Sequence, residues 1–168
     1  ARAKDLEIDI EEVSDGGQRA TRLRAHIPGA SFDVLAALPD GHERLAVVVP
    51  WDDKRFQYTV KDLCRPATGT VTVDGQTFEL PEGESWAVLD HGRGRWPYDV
   101  AWNWGAGCGV SNGHVIGLQV GGRWTDGTGS TENSILVDGR LHKIRAELTW
   151  AKPLSSLGLS LARSAWQA

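Results

Sequence analysis

Two Asp-Gly dipeptides, each set between runs of strand-forming residues, constrain this chain most. Thr70 to Val73 and Gln76 to Leu80 flank Asp74-Gly75, and Ser134 to Val137 and Arg140 to Ile144 flank Asp138-Gly139. Asp-Gly supplies the two positive φ angles of a type I′ turn, whose twist matches that of an antiparallel pair, so each segment predicts a β-hairpin. Further short runs read as strands: Leu6 to Glu11, Arg22 to Ile27, Ser31 to Ala37, Arg44 to Val49, Gln57 to Val60, Trp86 to Leu89, Val115 to Val120 and Arg145 to Trp150. Many short strands separated by turn signals predict a mostly β protein built as an antiparallel barrel or sandwich. Helical spacing shows only at the end, where Leu154, Leu157, Leu161 and Ala165 follow Pro153 and the cap residue Ser155, and predicts a short C-terminal helix.

The 168 residues suit one β-rich domain spanning 1–168, with a tail from 151 whose structure the sequence leaves open. A formal charge of -4 without any long basic run argues against nucleic acid or anionic membranes as partners. No run approaches the roughly 20 apolar residues of a membrane span, and Ala1 to Asp5 lacks the apolar core of a secretory signal. The expectation is a soluble, cytoplasmic protein. Cys64 and Cys108 are too few for a disulfide framework and read as buried free thiols. His26, His42, His114 and His142 show no metal-ligand spacing, and no cofactor motif or Gly-x-Ser-x-Gly elbow is visible, so neither a metal nor a cofactor is expected.

The 8 Trp are concentrated, with Trp86, Trp96, Trp102, Trp104 and Trp124 inside one short stretch. Trp carries a large apolar area and an N–H that needs a partner, so the segment from Asp90 to Asn133 is the candidate functional centre. If the strand beginning at Trp86 continues, alternation places His91, Arg93 and Arg95 on one face and Asp90 on the other. Two guanidiniums beside an imidazole suit a carboxylate, phosphate or enolate oxygen, while ion pairs with Asp90, Asp99, Asp126 or Glu132 give a purely structural role. Trp102 and Trp104 share a face opposite Asn103, as an apolar pocket wall or as core. The loop from Trp124 to Asn133 brings Asp126 and Glu132 as acid, base or counter-ion to arginine. The expected catalytic groups are therefore His91, Asp126 and Glu132. The expected ligand-binding groups are Arg93, Arg95, Trp96, Trp102, Asn103, Trp104 and Trp124.

Four motifs in order, Asp90-His91-Gly92-Arg93-Gly94-Arg95-Trp96-Pro97-Tyr98, Trp102-Asn103-Trp104-Gly105, the 124–133 segment and Asp138-Gly139-Arg140-Leu141-His142-Lys143, resemble the family known as domain of unknown function 2804. The resemblance covers about residues 40 to 150, and the ordered set is more specific than any single motif. It implies a relation to a lipocalin-like group that includes carotenoid hydratases and cyclase-type enzymes. The expected fold is then a lipocalin-like (calycin-like) antiparallel barrel, one half of a two-barrel protein. No catalytic residue set comes with the resemblance. It also implies a second β-rich half, whereas here Trp150 leads into Ala151-Lys152-Pro153 and a Leu/Ser/Ala tail, which predicts self-association through an exposed edge. The function this favours is hydration, isomerisation or cyclisation of a hydrophobic small molecule. The alternatives are non-catalytic carriage of a lipid-like ligand with an acidic group and, third, sugar binding on the Trp faces.

Overall fold

The computed structural model describes residues 2–148. All regular structure among them is β: β1 (Arg2–Ala3), β2 (Leu6–Asp15), β3 (Gln18–Ile27), β4 (Ala30–Ala37), β5 (Leu45–Pro50), β6 (Phe56–Val73), β7 (Gln76–Leu80), β8 (Trp86–Arg95), β9 (Asn103–Ser111), β10 (His114–Gly122), β11 (Asn133–Val137) and β12 (Arg140–Ile144). Every pairing is antiparallel, as expected from the hairpin signals. Asp74-Gly75 and Asp138-Gly139 take the positive φ angles that type I′ turns require. Asn112-Gly113, which sequence reading passed over, does the same between β9 and β10.

β1 to β8 form one sheet in the order β1-β2-β3-β4-β6-β5, with β7 and β8 also paired to β6, and β12-β11-β10-β9 form a second. Neither sheet closes into a barrel among the described residues. The predicted C-terminal helix lies outside the described residues. The strand expected at Arg145 is not present through Leu148. There the backbone carbonyls of Ile144 and Ala146 accept hydrogen bonds from Thr131 Oγ1 (2.6 Å) and Asn133 Nδ2 (3.2 Å), so side chains take bonding positions that a partner strand would use. Thr149 and Trp150 are beyond the described span.

β6 is the element that organises the molecule. Its first part pairs with β5 and β8, its second with β4 and β7. Asp62 opposes Leu89 while Arg65 opposes Ala87, so β6 spends one residue more than β8 and bulges. Cys64 takes φ 56 within this bulge, a left-handed conformation that costs energy for a residue with a Cβ. The bulge turns both Leu63 and Cys64 inward, where they pack with Leu136, Cys108, Val115, Leu141 and Trp86. The second sheet therefore sits on the first at this point. Arg65, itself buried, donates to the carbonyls of Ala36 (2.6 Å) and Ala37 (3.1 Å) and anchors the end of β4.

Candidate functional site

Register fixes which side chains meet. Gln57, Thr59 and Lys61 of β6 oppose Gly94, Gly92 and Asp90 of β8, and directly opposed residues share a face. The continuation of β8 through Arg95 also keeps the expected alternation, with His91, Arg93 and Arg95 opposite Val60, Tyr58 and Phe56 on the other face. Arg93 lies 5.5 Å from the centre of the Tyr58 ring, and all three side chains are exposed.

The inner face carries a buried charge cluster. Lys61 is only 4% exposed, and its Nζ lies 2.5 Å from Asp90 Oδ1 and 3.0 Å from Glu132 Oε2. Glu132 is completely buried, and its Oε1 accepts from Gln57 Nε2 (2.7 Å) and Trp124 Nε1 (2.9 Å). Its Oε2 has no aligned hydrogen bond and is met by the Lys61 charge. Burying such a pair is expensive, and what offsets the desolvation is the mutual attraction plus these additional donors. Gln119 Nε2 donates to the Glu132 backbone carbonyl, while Gln119 Oε1 and Ser134 Oγ, on opposed residues of β10 and β11, are buried without a protein partner.

Indoles surround the cluster. Lys61 Nζ is 5.5 Å from the Trp104 ring centre, a cation–π distance. Trp104 opposes Gly121, and a Cβ at Gly121 would overlap the Trp124 ring, so the missing side chain is what admits that indole. Trp96 folds back over Gly92 and donates through Nε1 to Gln57 Oε1 at 2.5 Å. Trp51 Nε1 donates to the Trp124 carbonyl at 2.6 Å. Trp96 and Trp104 stay roughly half exposed, and Trp102, just before β9, is 77% exposed.

Of the residues expected from sequence, the fold brings Glu132, Trp96, Trp104 and Trp124 together. Asn103 opposes Gly122 and so faces away from Trp104. Asp126 is exposed in the loop after β10, where its Oδ1 accepts from the Arg123 backbone N–H (2.9 Å) and shapes the turn. The hydroxyls of Thr128 and Ser130 donate to the carbonyls of Thr125 (2.6 Å) and Val48 (2.9 Å). His91 lies on the face away from the cluster. Sequence reading missed Lys61 and Gln57. The available signal was the alternation Gln57, Thr59, Lys61 along a strand whose other residues are largely apolar, which places a lysine on a strand face rather than at a turn.

Lys143 reaches into the same region from β12, donating to Thr131 Oγ1 at 2.8 Å and to the Thr131 carbonyl. Burial pushes its amine below the ordinary lysine range, partly opposed by the negative charge of Glu132. The resulting assembly is a buried ammonium–carboxylate pair, open through Asp90 and flanked by aromatic walls.

The family described as Domain of unknown function (DUF2804) matches residues 1–157. The chain belongs to that family. No curated protein and no solved structure matches it. The match extends beyond the 40–150 stretch that carries the sequence motifs and includes the β1–β4 hairpins, so the larger sheet is part of the family's unit. No helix among the described residues is long and apolar enough to cross a membrane.

Proposed function

We propose that this member of the family binds a hydrophobic small molecule carrying an acidic or hydrogen-bonding group. Trp96, Trp102 and Trp104 supply the apolar rim, and Lys61 with Asp90 and Glu132 supplies the polar floor. The observation that carries this reading is the buried Lys61 ammonium, held between two carboxylates and beside an indole. Pockets for small molecules combine mostly apolar walls with a few placed polar groups, and this cluster has that composition. Arg93 and Arg95, on the outer face of β8, belong to the proposal as a second set of anion donors. A lipocalin-like relation is kept on the same terms, as two antiparallel sheets meeting over a ligand.

A second reading, an enzyme for hydration, isomerisation or cyclisation, is favoured by one fact: Lys61 lies within ion-pair distance of both carboxylates, so a proton donor and acceptors are adjacent. Glu132 and Asp90 then transfer the proton, while His91 and Asp126 act only if substrate reaches the outer face or the loop. Native mass spectrometry of the purified chain separates the readings. A retained, unaltered lipid supports binding, and an empty protein that converts an added polyene or fatty acid supports catalysis. A titration with a long-chain fatty acid that leaves the tryptophan emission unchanged, together with an empty protein and no turnover, removes both.

Self-association is retained as a proposal for a second copy at the open strand edges of the larger sheet. Light scattering that reports a compact monomer over a wide concentration range overturns it.

A further inference from the structure

We propose that Cys64 and Cys108, 44 residues apart in the sequence, form a reversible disulfide that locks the smaller sheet onto the bulge of β6. Both are free thiols, Cys64 buried and Cys108 partly exposed. Their proximity follows from backbone geometry. Cys108 of β9 directly opposes Gly117 of β10, and a Cβ at Gly117 would lie 2.5 Å from Cys64 Sγ. Opposed Cβ positions in an antiparallel pair are about 4.5–5.5 Å apart, so the Cys64 sulfur occupies the space beside the Cys108 side chain. Gly117 is what leaves room for it.

The two sulfurs are chemically unequal. The interaction between the two thiols, reinforced by burial, pushes the Cys64 thiol up, and the same interaction draws Cys108 below the ordinary thiol range. His42 adds to this when protonated, its Nε2 held 3.0 Å from the buried Asp62 Oδ1. Cys108 is thus the accessible, thiolate-forming partner and Cys64 the resolving one.

With hydrogen peroxide as oxidant the steps balance. The Cys108 thiolate attacks one peroxide oxygen, the O–O bond breaks, and hydroxide leaves to become water, giving Cys108 sulfenic acid. The Cys64 sulfur then attacks the Cys108 sulfur, the S–O bond breaks, and the hydroxyl departs as water with the Cys64 proton. Two thiols are oxidised and one peroxide is reduced to two waters. A dithiol reductant reverses the bond by thiol–disulfide exchange. The link joins β6 to β9, three residues from Lys61 and four from Trp104.

The test treats the full chain with one equivalent of hydrogen peroxide and follows thiols with a chromogenic disulfide reagent and intact mass. The expected result is loss of both thiols together, a mass lower by two hydrogens, a raised thermal midpoint, and return of all three on adding dithiothreitol. In Cys64→Ser, Cys108 should stop at a sulfenic acid that dimedone traps; in Cys108→Ser, Cys64 should resist peroxide. Oxygen addition to the wild-type chain without disulfide formation, a covalent dimer on a non-reducing gel, or two unchanged thiols each overturns the proposal. Because these readouts need no ligand, they are independent of the function proposed above.

Discussion

Glu132 sits at the tightest point of the polar cluster, and its environment sets what its removal does. Glu132→Ala deletes the acceptor for Trp124 and Gln57 and strips Lys61 of its buried counter-charge, leaving only the exposed Asp90. Breaking a buried pair from one side costs about 3–5 kcal/mol, so urea unfolding should show a loss of that order. Lys61→Met removes the other partner. The double variant Lys61→Met/Glu132→Gln should be more stable than the sum of the single changes predicts, by about 1–3 kcal/mol. Additive losses would show that the two side chains are stabilised separately. A surface pair gives a contrasting pH signature. The Arg22 fork holds Asp33 by two hydrogen bonds, 2.8 Å and 2.5 Å, and keeps its carboxyl below the ordinary 3.8. Between those values the unfolded chain binds more protons, so the contribution is fully present above 3.8 and lost as pH falls through the lowered native value. The stability gap between wild type and Asp33→Asn should therefore shrink on acidification, and a gap that stays constant contradicts the pairing.

At the scale of elements, β8 shows why its two central glycines are unequal. A Cβ at Gly94 would overlap the Phe56 carbonyl oxygen and crowd the Gln57 Cα, whereas one at Gly92 meets only ordinary contacts at 3.6–3.9 Å. Gly94→Ala should push β8 off β6 and cost about 2 kcal/mol, while Gly92→Ala should stay within about 1 kcal/mol of wild type. Equal effects in chemical denaturation would mean that this close approach does not constrain β8. The hairpins were readable because Asp-Gly and flanking alternation are both local. β6 was readable only at its ends, since Lys61-Asp62, Arg65-Pro66 and Gly69 interrupt the alternation and the bulge shifts its phase. The candidate site was half legible for the same reason. Glu132 and the indoles stood in a dense local cluster, but their pairing with Gln57 and Lys61 depends on a register across 75 and 71 residues, which no local pattern encodes.

Across the whole molecule, β6 belongs to both parts of the larger sheet and carries the residues on which the smaller sheet rests. Loss of the smaller sheet would expose Leu63, Cys64 and the Lys61–Glu132 pair, and loss of β6 would leave β4, β5, β7 and β8 without their shared partner. Among the described residues, one buried cluster draws on β6, β8, β9, β10, β11 and β12 together, so the two sheets share it. The described strands should therefore unfold as one cooperative unit. Trp104 and Trp124 report on the junction of the sheets, while far-ultraviolet circular dichroism reports on all strands. The urea midpoints from tryptophan emission and from circular dichroism should coincide. Lys61→Met should move both together. If emission changes at lower urea while the strand signal persists, the smaller sheet detaches first, and the sheet junction is then a weak interface rather than the centre of the fold.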